Sequence, residues 1–286
     1  MIIMSKSAII ACSDPMSENS KIALSCLQSD LTASGCDAAF VGEMYFHKGE
    51  DVFERGKRNA GALMSVFNDP EINYIFDISG GDLSNTVLPY LDFEAIRTSH
   101  AVFFGYSDLT VLLNSIYAIT QKSSVLYQIR NIEGSFAALQ RERLKKFLHS
   151  GIDLTDNRYT HNNPFPKEHT ELTDIKGSFI NGSSMKGILV GGNIRCLLKL
   201  AGTLYFPDMT NKLLLLEAMS GSTNRIASYF MQLKQLGVFE QVGGIVLGTF
   251  TESDRTNQHP TAAELLLSIT EHKLPVFQTS EIGHSP

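Results

Sequence analysis

The sequence predicts an α/β protein built on parallel sheets and divided into two domains. Three observations carry that expectation. Short apolar runs alternate with helix-spaced segments through the first half of the chain, a polar stretch interrupts them at about 150–178, and the alternation then resumes. Continuous apolar strands separated by amphipathic helices belong to parallel sheets covered on both faces.

The elements follow in order. "SAIIAC" is the first strand, and a helix at about 18–34 places Ile22, Leu24, Leu27 and Leu31 near one face. "AAFVGE" is a second strand; "DVFERGKRNAGALMSVFND" has helical spacing and ends before Pro70. "INYIFDIS" reads as a strand, "SNTVLPYLDFEAI" as a short helix and turn, and "HAVFFGY" as another strand. The segment after it repeats Leu109, Leu112, Leu113, Ile116 and Tyr117 at helical spacing. Residues 1–149 then form the first domain, 150–178 a linker holding prolines and paired asparagines, and 179–286 the second domain. In the second, "KGILVGG", "NKLLLLEAM", "GGIVLGTF" and "LPVFQTS" are strands. "NIRCLLKLAG", "TNRIASYFMQLKQLG" (closed by Gly237) and "TAAELLLSITEH" are helices. A cleft between two such domains is a common ligand site.

Composition narrows the function classes. The chain has 286 residues, 43% hydrophobic and 19% charged, which suits a globular protein with a well-buried core. A net charge of −6 argues against a nucleic-acid partner and gives no attraction to anionic lipid. No apolar run is long enough to span a bilayer, and "MIIMSKSAIIACSDP" lacks the parts of a signal peptide, so a cytoplasmic protein is expected. Cys12, Cys26, Cys36 and Cys196 form no CxxC pair and are expected to be buried free thiols. His161 and His169 sit in the polar stretch without metal-ligand spacing, and no metal is expected.

Chemistry concentrates in three places. In "FFGYSDLTVLL", Ser107 stands on the corner between a strand and a helix, where a hydroxyl is lifted beyond the carboxyl ends of the strands. The amide of Asp108, at the helix start, is then placed to hold an oxyanion. Ser and Asp are also favoured helix caps, and Leu109 stands where the elbow pattern G-x-S-x-G has its last glycine, so this stretch alone leaves both readings open. The second place is "SGGDLSN", residues 79–85, which also follows a strand; it suits a second oxyanion donor at Gly81, a phosphate site or a plain turn. The third is a pair of late residues, Glu217 at the end of "LLLLE" and His284 in "EIGHSP". A serine nucleophile needs a base, and the base needs a carboxylate to fix its tautomer.

With these residues in hand the sequence resembles the serine LD-carboxypeptidases, which include muramoyl-tetrapeptide carboxypeptidases and microcin C immunity peptidases. "ISGGDLSNTVLPYLDFEAI", "GYSDLTVLLNSIY", "GGNIRCLLKLAGT", "LLLLEAM", "GGIVLGTFTESD" and "EIGH" carry the likeness, in order, from about residue 7 to 285. The resemblance implies an amidotransferase-like amino-terminal domain, a smaller α/β carboxy-terminal domain, a Ser107–Glu217–His284 triad and an oxyanion hole at Asp108 and Gly81. It also implies a cytoplasmic homodimer without metal or cofactor. Gly80, Asp82 and Asn193 are expected to contact the substrate, a small peptide such as a murein tetrapeptide cut before its terminal D-alanine. A microcin-type peptidase, a binding homologue that has lost catalysis and a phosphate-binding regulator are the alternatives.

Three departures stand out. "YQIRNI", with Gln128, Ile129 and Arg130, replaces the family's His-Gly-Pro-like turn. The chain stops at Pro286, where relatives continue with an asparagine and a closing strand, so weak anchorage of the His284 loop or a shortened chain is expected. The stretch 150–178 holds no recognisable pocket residues.

Overall fold

Strand β1 (Ser5–Ile10) ends in a buried apolar run because it lies inside its sheet, between β2 (Cys36–Phe40) and β3 (Tyr74–Asp77). With β4 (Val102–Gly105) and β5 (Val125–Leu126) these strands form a five-stranded sheet in the order β2-β1-β3-β4-β5, every pair parallel. In a sheet of this order the strand order reverses between β1 and β3, the kind of point where loops at the carboxyl ends diverge and leave a crevice. The computed structural model describes residues 4–45, 47–134, 136–149, 159–160 and 175–284.

Helix α1 (Lys21–Ala33) buries Leu24, Leu27 and Leu31 against Ile9, Phe76 and Phe104 of the sheet. Ile22, expected on that face, is 79% exposed, because it lies about 200° round the helix from Leu24. A second helical layer comprises α2 (Val52–Phe67), α3 (Phe93–Thr98) and α4 (Thr110–Thr120). Helix α4 is buried on nearly every side, so its apolar residues mark no single stripe. Helix α5 (Ala137–His149) was not among the sequence expectations; it brings Leu144 into the α1 core along with Ile129 and Ile132.

The later strands build a second sheet. β6 (Tyr159–Thr160) pairs antiparallel with β8 (Lys186–Gly187). The sheet itself has the order β7-β12-β11-β10-β9, from β7 (Ser178–Asn181), β9 (Leu189–Asn193), β10 (Leu213–Ala218), β11 (Gly244–Phe250) and β12 (Val276–Gln278). Its pairs are parallel except β12 with β7. Its helices are α6 (Ile194–Leu198), α7 (Thr223–Gln235), α8 (Val238–Gln241), α9 (Thr251–Arg255) and α10 (Ala262–Ile269). Gly237, in left-handed conformation, follows α7 as expected. A capping box of Thr261 and Glu264 opens α10.

The chain divides into two compact units, Met1–Thr155 and Asp156–Ser285. Most of the 150–178 stretch, with His161 and His169, lies outside the described residues, as does Pro286. All four cysteines are free, but Cys26 is exposed rather than buried. Among the described residues no helix is long and apolar enough to cross a membrane.

Candidate active site

Ser107 opens a 3-10 turn, Ser107–Leu109, directly after β4 and before α4. Its φ is +57°, a left-handed conformation that a non-glycine residue adopts only at some cost, and such strain concentrates at functional positions. The capping alternative does not hold, since the positions that cap the turn and α4 fall to Tyr106 and Leu109. The missing second glycine of the elbow also has an explanation. A Cβ on Gly105 would stand 2.7 Å from the Leu109 Cβ, so the corner closes with the glycine on the strand and the leucine on the turn.

Asp108 is fully buried, and its carboxylate ties three loops together. Oδ2 accepts from the Ser13 hydroxyl at 2.6 Å and from the Ser84 amide at 2.8 Å, while the Ser84 hydroxyl donates to the Asp108 carbonyl at 2.8 Å. The Ser13 amide in turn donates to Ser79 Oγ at 2.9 Å, and Ser79 Oγ donates to Asp77 Oδ1 at 2.6 Å. Asp77 also accepts from the amides of Ser79 and Cys12. A continuous buried chain of hydrogen bonds therefore runs from the end of β3, through the loop after β1, to the corner after β4. Sequence reasoning missed Ser13, Asp77, Ser79 and Ser84; their one signal is a cluster of small polar residues where apolar strands stop.

Burial pushes the Asp77 carboxyl up to about 6, against the opposing pull of its donors, and burial together with Asp77 pushes the Cys12 thiol well up. A carboxyl raised in the folded state stabilises the fold below the unfolded value of 3.8, and that contribution fades as pH rises through about 6. Relative to an Asp77→Asn variant, the protein is expected to lose on the order of 3 kcal/mol of stability between about pH 4 and pH 7. Urea denaturation of both proteins across that range measures it; a pH-independent difference would contradict the assignment.

Gly80, Gly81 and Asp82 lie in the loop after β3, the strand beside β4, so this loop and Ser107 share one edge of the sheet, as expected. The Asp14 amide donates to the Gly80 carbonyl at 3.1 Å, and Asp82 is exposed. Gly81 has φ +124°, and a Cβ there would fall 2.0 Å from Asp14 Oδ2, which is itself held beside buried Arg55. No other residue fits without moving that ion pair. Gly81→Ala is expected to destabilise the protein by about 1–3 kcal/mol, read as a shifted urea midpoint, and to slow turnover by displacing the loop.

In the second unit Glu217 sits near the end of β10, 1% exposed, opposite Asn193 of β9 in the sheet register. Its Oε2 is 2.7 Å from His284 Nδ1. The imidazole is 13% exposed, so the carboxylate is shut off from water while part of the ring remains open. Irregular pairing places the histidine. β10 passes from Leu216 to Ala218 while β11 passes from Leu247 to Phe250, and the Thr249 amide released there donates to the Ile282 carbonyl at 2.8 Å. Gly248 and Gly283 make that approach possible. A Cβ would meet the Ile282 oxygen at 2.5 Å in the first case and Thr249 Oγ1 at 1.8 Å in the second. The expected weak anchorage is therefore not what the described residues show: the Glu281 amide adds a bond to Thr279 Oγ1, and the Glu281 carboxylate accepts from the Lys176 amide. Asn193, expected at the substrate, is buried and caps α6 through a 3.3 Å bond from the Cys196 amide.

The first unit carries a left-handed serine on a strand-to-helix corner, and the second an imidazole bonded to a buried carboxylate; serine hydrolases use groups of both kinds. Residues 8–127 match the LD-carboxypeptidase N-terminal domain and residues 186–286 match the LD-carboxypeptidase C-terminal domain. The chain belongs to the LD-carboxypeptidase family, a family of serine peptidases. It is similar to a protein of Vibrio cholerae serotype O1 named as a carboxypeptidase, 27% identical over 270 residues that cover 87% of this chain and 77% of the relative. The microcin C7 self-immunity protein MccF of Escherichia coli is 26% identical over 271 residues, covering 86% and 75%. A structure of MccF in complex with glutamyl sulfamoyl guanosine matches with a TM-score of 0.78 at 22% identity, over 99% of this chain and 89% of that one. The muramoyltetrapeptide carboxypeptidase of Oxalobacter formigenes matches with a TM-score of 0.73 at 20% identity, over 97% and 90%. Both structures share the α/β fold of this chain.

Proposed function

We propose that the protein hydrolyses the amide bond between an L-centred diamino acid and the terminal D-alanine of a murein tetrapeptide, with Ser107, Glu217 and His284 as one triad. In this reading His284 donates from Nδ1 to Glu217, which leaves Nε2 to take the Ser107 proton. Ser107 Oγ attacks the scissile carbonyl, the amides of Asp108 and Gly81 hold the oxyanion, and the imidazolium returns its proton to the leaving amine. D-alanine departs, and water releases the acyl group from Ser107 by the same steps. The observation that carries the proposal is the left-handed Ser107 at the end of β4, a conformation with no structural use in a plain helix start. Support for the substrate comes from the family and from the muramoyltetrapeptide carboxypeptidase among the structural neighbours.

Incubation with L,D-tetrapeptide tests it: stoichiometric free D-alanine is expected, and none from a Ser107→Ala control. The second reading, cleavage of an aminoacyl-nucleotide amide, is supported by the likeness to MccF. An aspartyl sulfamoyl adenosine competitor separates the two, since inhibition at concentrations far below those of the tetrapeptide would favour the second.

A further inference from the structure

The turn after β5 carries a cation held by an unusual set of contacts. β5 lies beside β4, and the Tyr127 amide donates to the Gly105 carbonyl at 2.9 Å, two residues before Ser107. The chain then enters a 3-10 turn, Ile129–Glu133, pinned by the fully buried side chains of Ile129 and Ile132. Arg130 projects from this seated turn. Gln128 Oε1 accepts from both the backbone amide and Nε of Arg130 at 3.3 Å, which orients the guanidinium. Its Nη1 reaches to 3.9 Å from Met16 Sδ, in the loop after β1, and the head group feels the charge of Asp77 at the end of β3. The side chain therefore stretches over the carboxyl edge that also carries Ser107 and the glycine loop.

Four of the other five arginines of this unit have carboxylate partners: Arg55 with Asp14, Arg58 with Glu50, Arg97 with Glu94 and Arg141 with Asp30. Among the described residues, no carboxylate stands within ion-pair distance of Arg130. Protein packed around its head group makes the charged form less favourable than in water, and Asp77 offsets this only in part. Arg130 is exposed overall, its Nε is held by Gln128 and its Nη1 makes only a long contact with Met16 Sδ, so the guanidinium keeps donors suited to capture of a planar anion.

We propose that Arg130, held by Gln128 over the carboxyl edge of the first sheet, binds a carboxylate of the peptide substrate. The proposal rests on the peptidase reading, which supplies a ligand rich in carboxylates, and it assigns this turn to substrate selection.

Calorimetric titration of Ser107→Ala protein, which leaves the peptide intact, tests it with three ligands. These are the L,D-tetrapeptide, its terminal carboxamide, and a form with the internal carboxylates amidated. Adding Arg130→Gln is expected to weaken binding of the free tetrapeptide about 10–100-fold. The ligand whose affinity ignores the substitution identifies the carboxylate that Arg130 holds. Arg130→Lys is expected to recover part of the loss. In Ser107-containing protein, Arg130→Gln is expected to raise KM while kcat stays within about threefold. Equal affinity of all three ligands for both proteins, or an equal loss for all three, overturns the proposal, as does absence of peptide binding. Failure of the peptidase reading is a separate result: tetrapeptide binds but Ser107-containing protein releases no D-alanine.

Discussion

Ser107→Ala is expected to lower kcat for tetrapeptide cleavage by about a millionfold, the scale set by loss of the nucleophile in other serine peptidases. Alanine keeps the left-handed backbone and removes only Oγ, so the corner after β4 survives. The buried bonds of Asp108 to Ser13 and Ser84 do not involve the Ser107 side chain and hold the corner in the variant as well. The melting temperature should therefore stay within a few degrees of the parent while D-alanine release disappears. A variant that keeps full turnover of the correct substrate would remove Ser107 from the chemistry and leave its strained φ without a role.

Glu217→Gln is expected to act in opposite directions on rate and stability. Glutamine is the same size but does not carry the charge that steadies an imidazolium, and it can present an amide donor to Nδ1. The wrong tautomer costs a triad enzyme roughly 10⁴ in kcat. Yet Glu217 is an ionisable group buried at 1% exposure, and among the described residues its Oε1 has no hydrogen-bond partner. Burying a charge that is only half satisfied is unfavourable, so a neutral isostere is expected to leave the urea midpoint unchanged or raise it. Loss of rate together with loss of stability would show that the carboxylate is there to hold the sheet rather than to serve His284.

The candidate residues were legible in the sequence because parallel sheets place function where apolar runs stop. Ser107, Gly81 and Glu217 each stand at or just beyond the end of a strand, and His284 follows the last one. The pairing of Glu217 with His284 followed from the chemical need of a nucleophile and from the family likeness, and the 2.7 Å contact accords with both. What holds these groups was not legible. Ser13 and Asp108 are 95 residues apart, and serines follow no period that would join them. The irregular pairing at Gly248 leaves no mark in "GGIVLGTF", which reads as an unbroken strand. Helix α5 went unnoticed because its polar residues outnumber a narrow apolar edge at Leu144, and β7 because four residues pairing antiparallel to β12 carry too short a pattern. Ile22 shows the converse error, an apolar residue assigned to a face that its angle excludes.

The hydrogen-bonded chain from Asp77 to Ser84 also bears on how the protein comes into being. Its longer links join segments distant in sequence, so the whole chain is complete only when β1, β3 and β4 lie side by side. A nascent or partly folded polypeptide therefore lacks the network that fixes the corner around position 107. In the proposed reading, the nucleophile takes shape only together with the sheet that carries it.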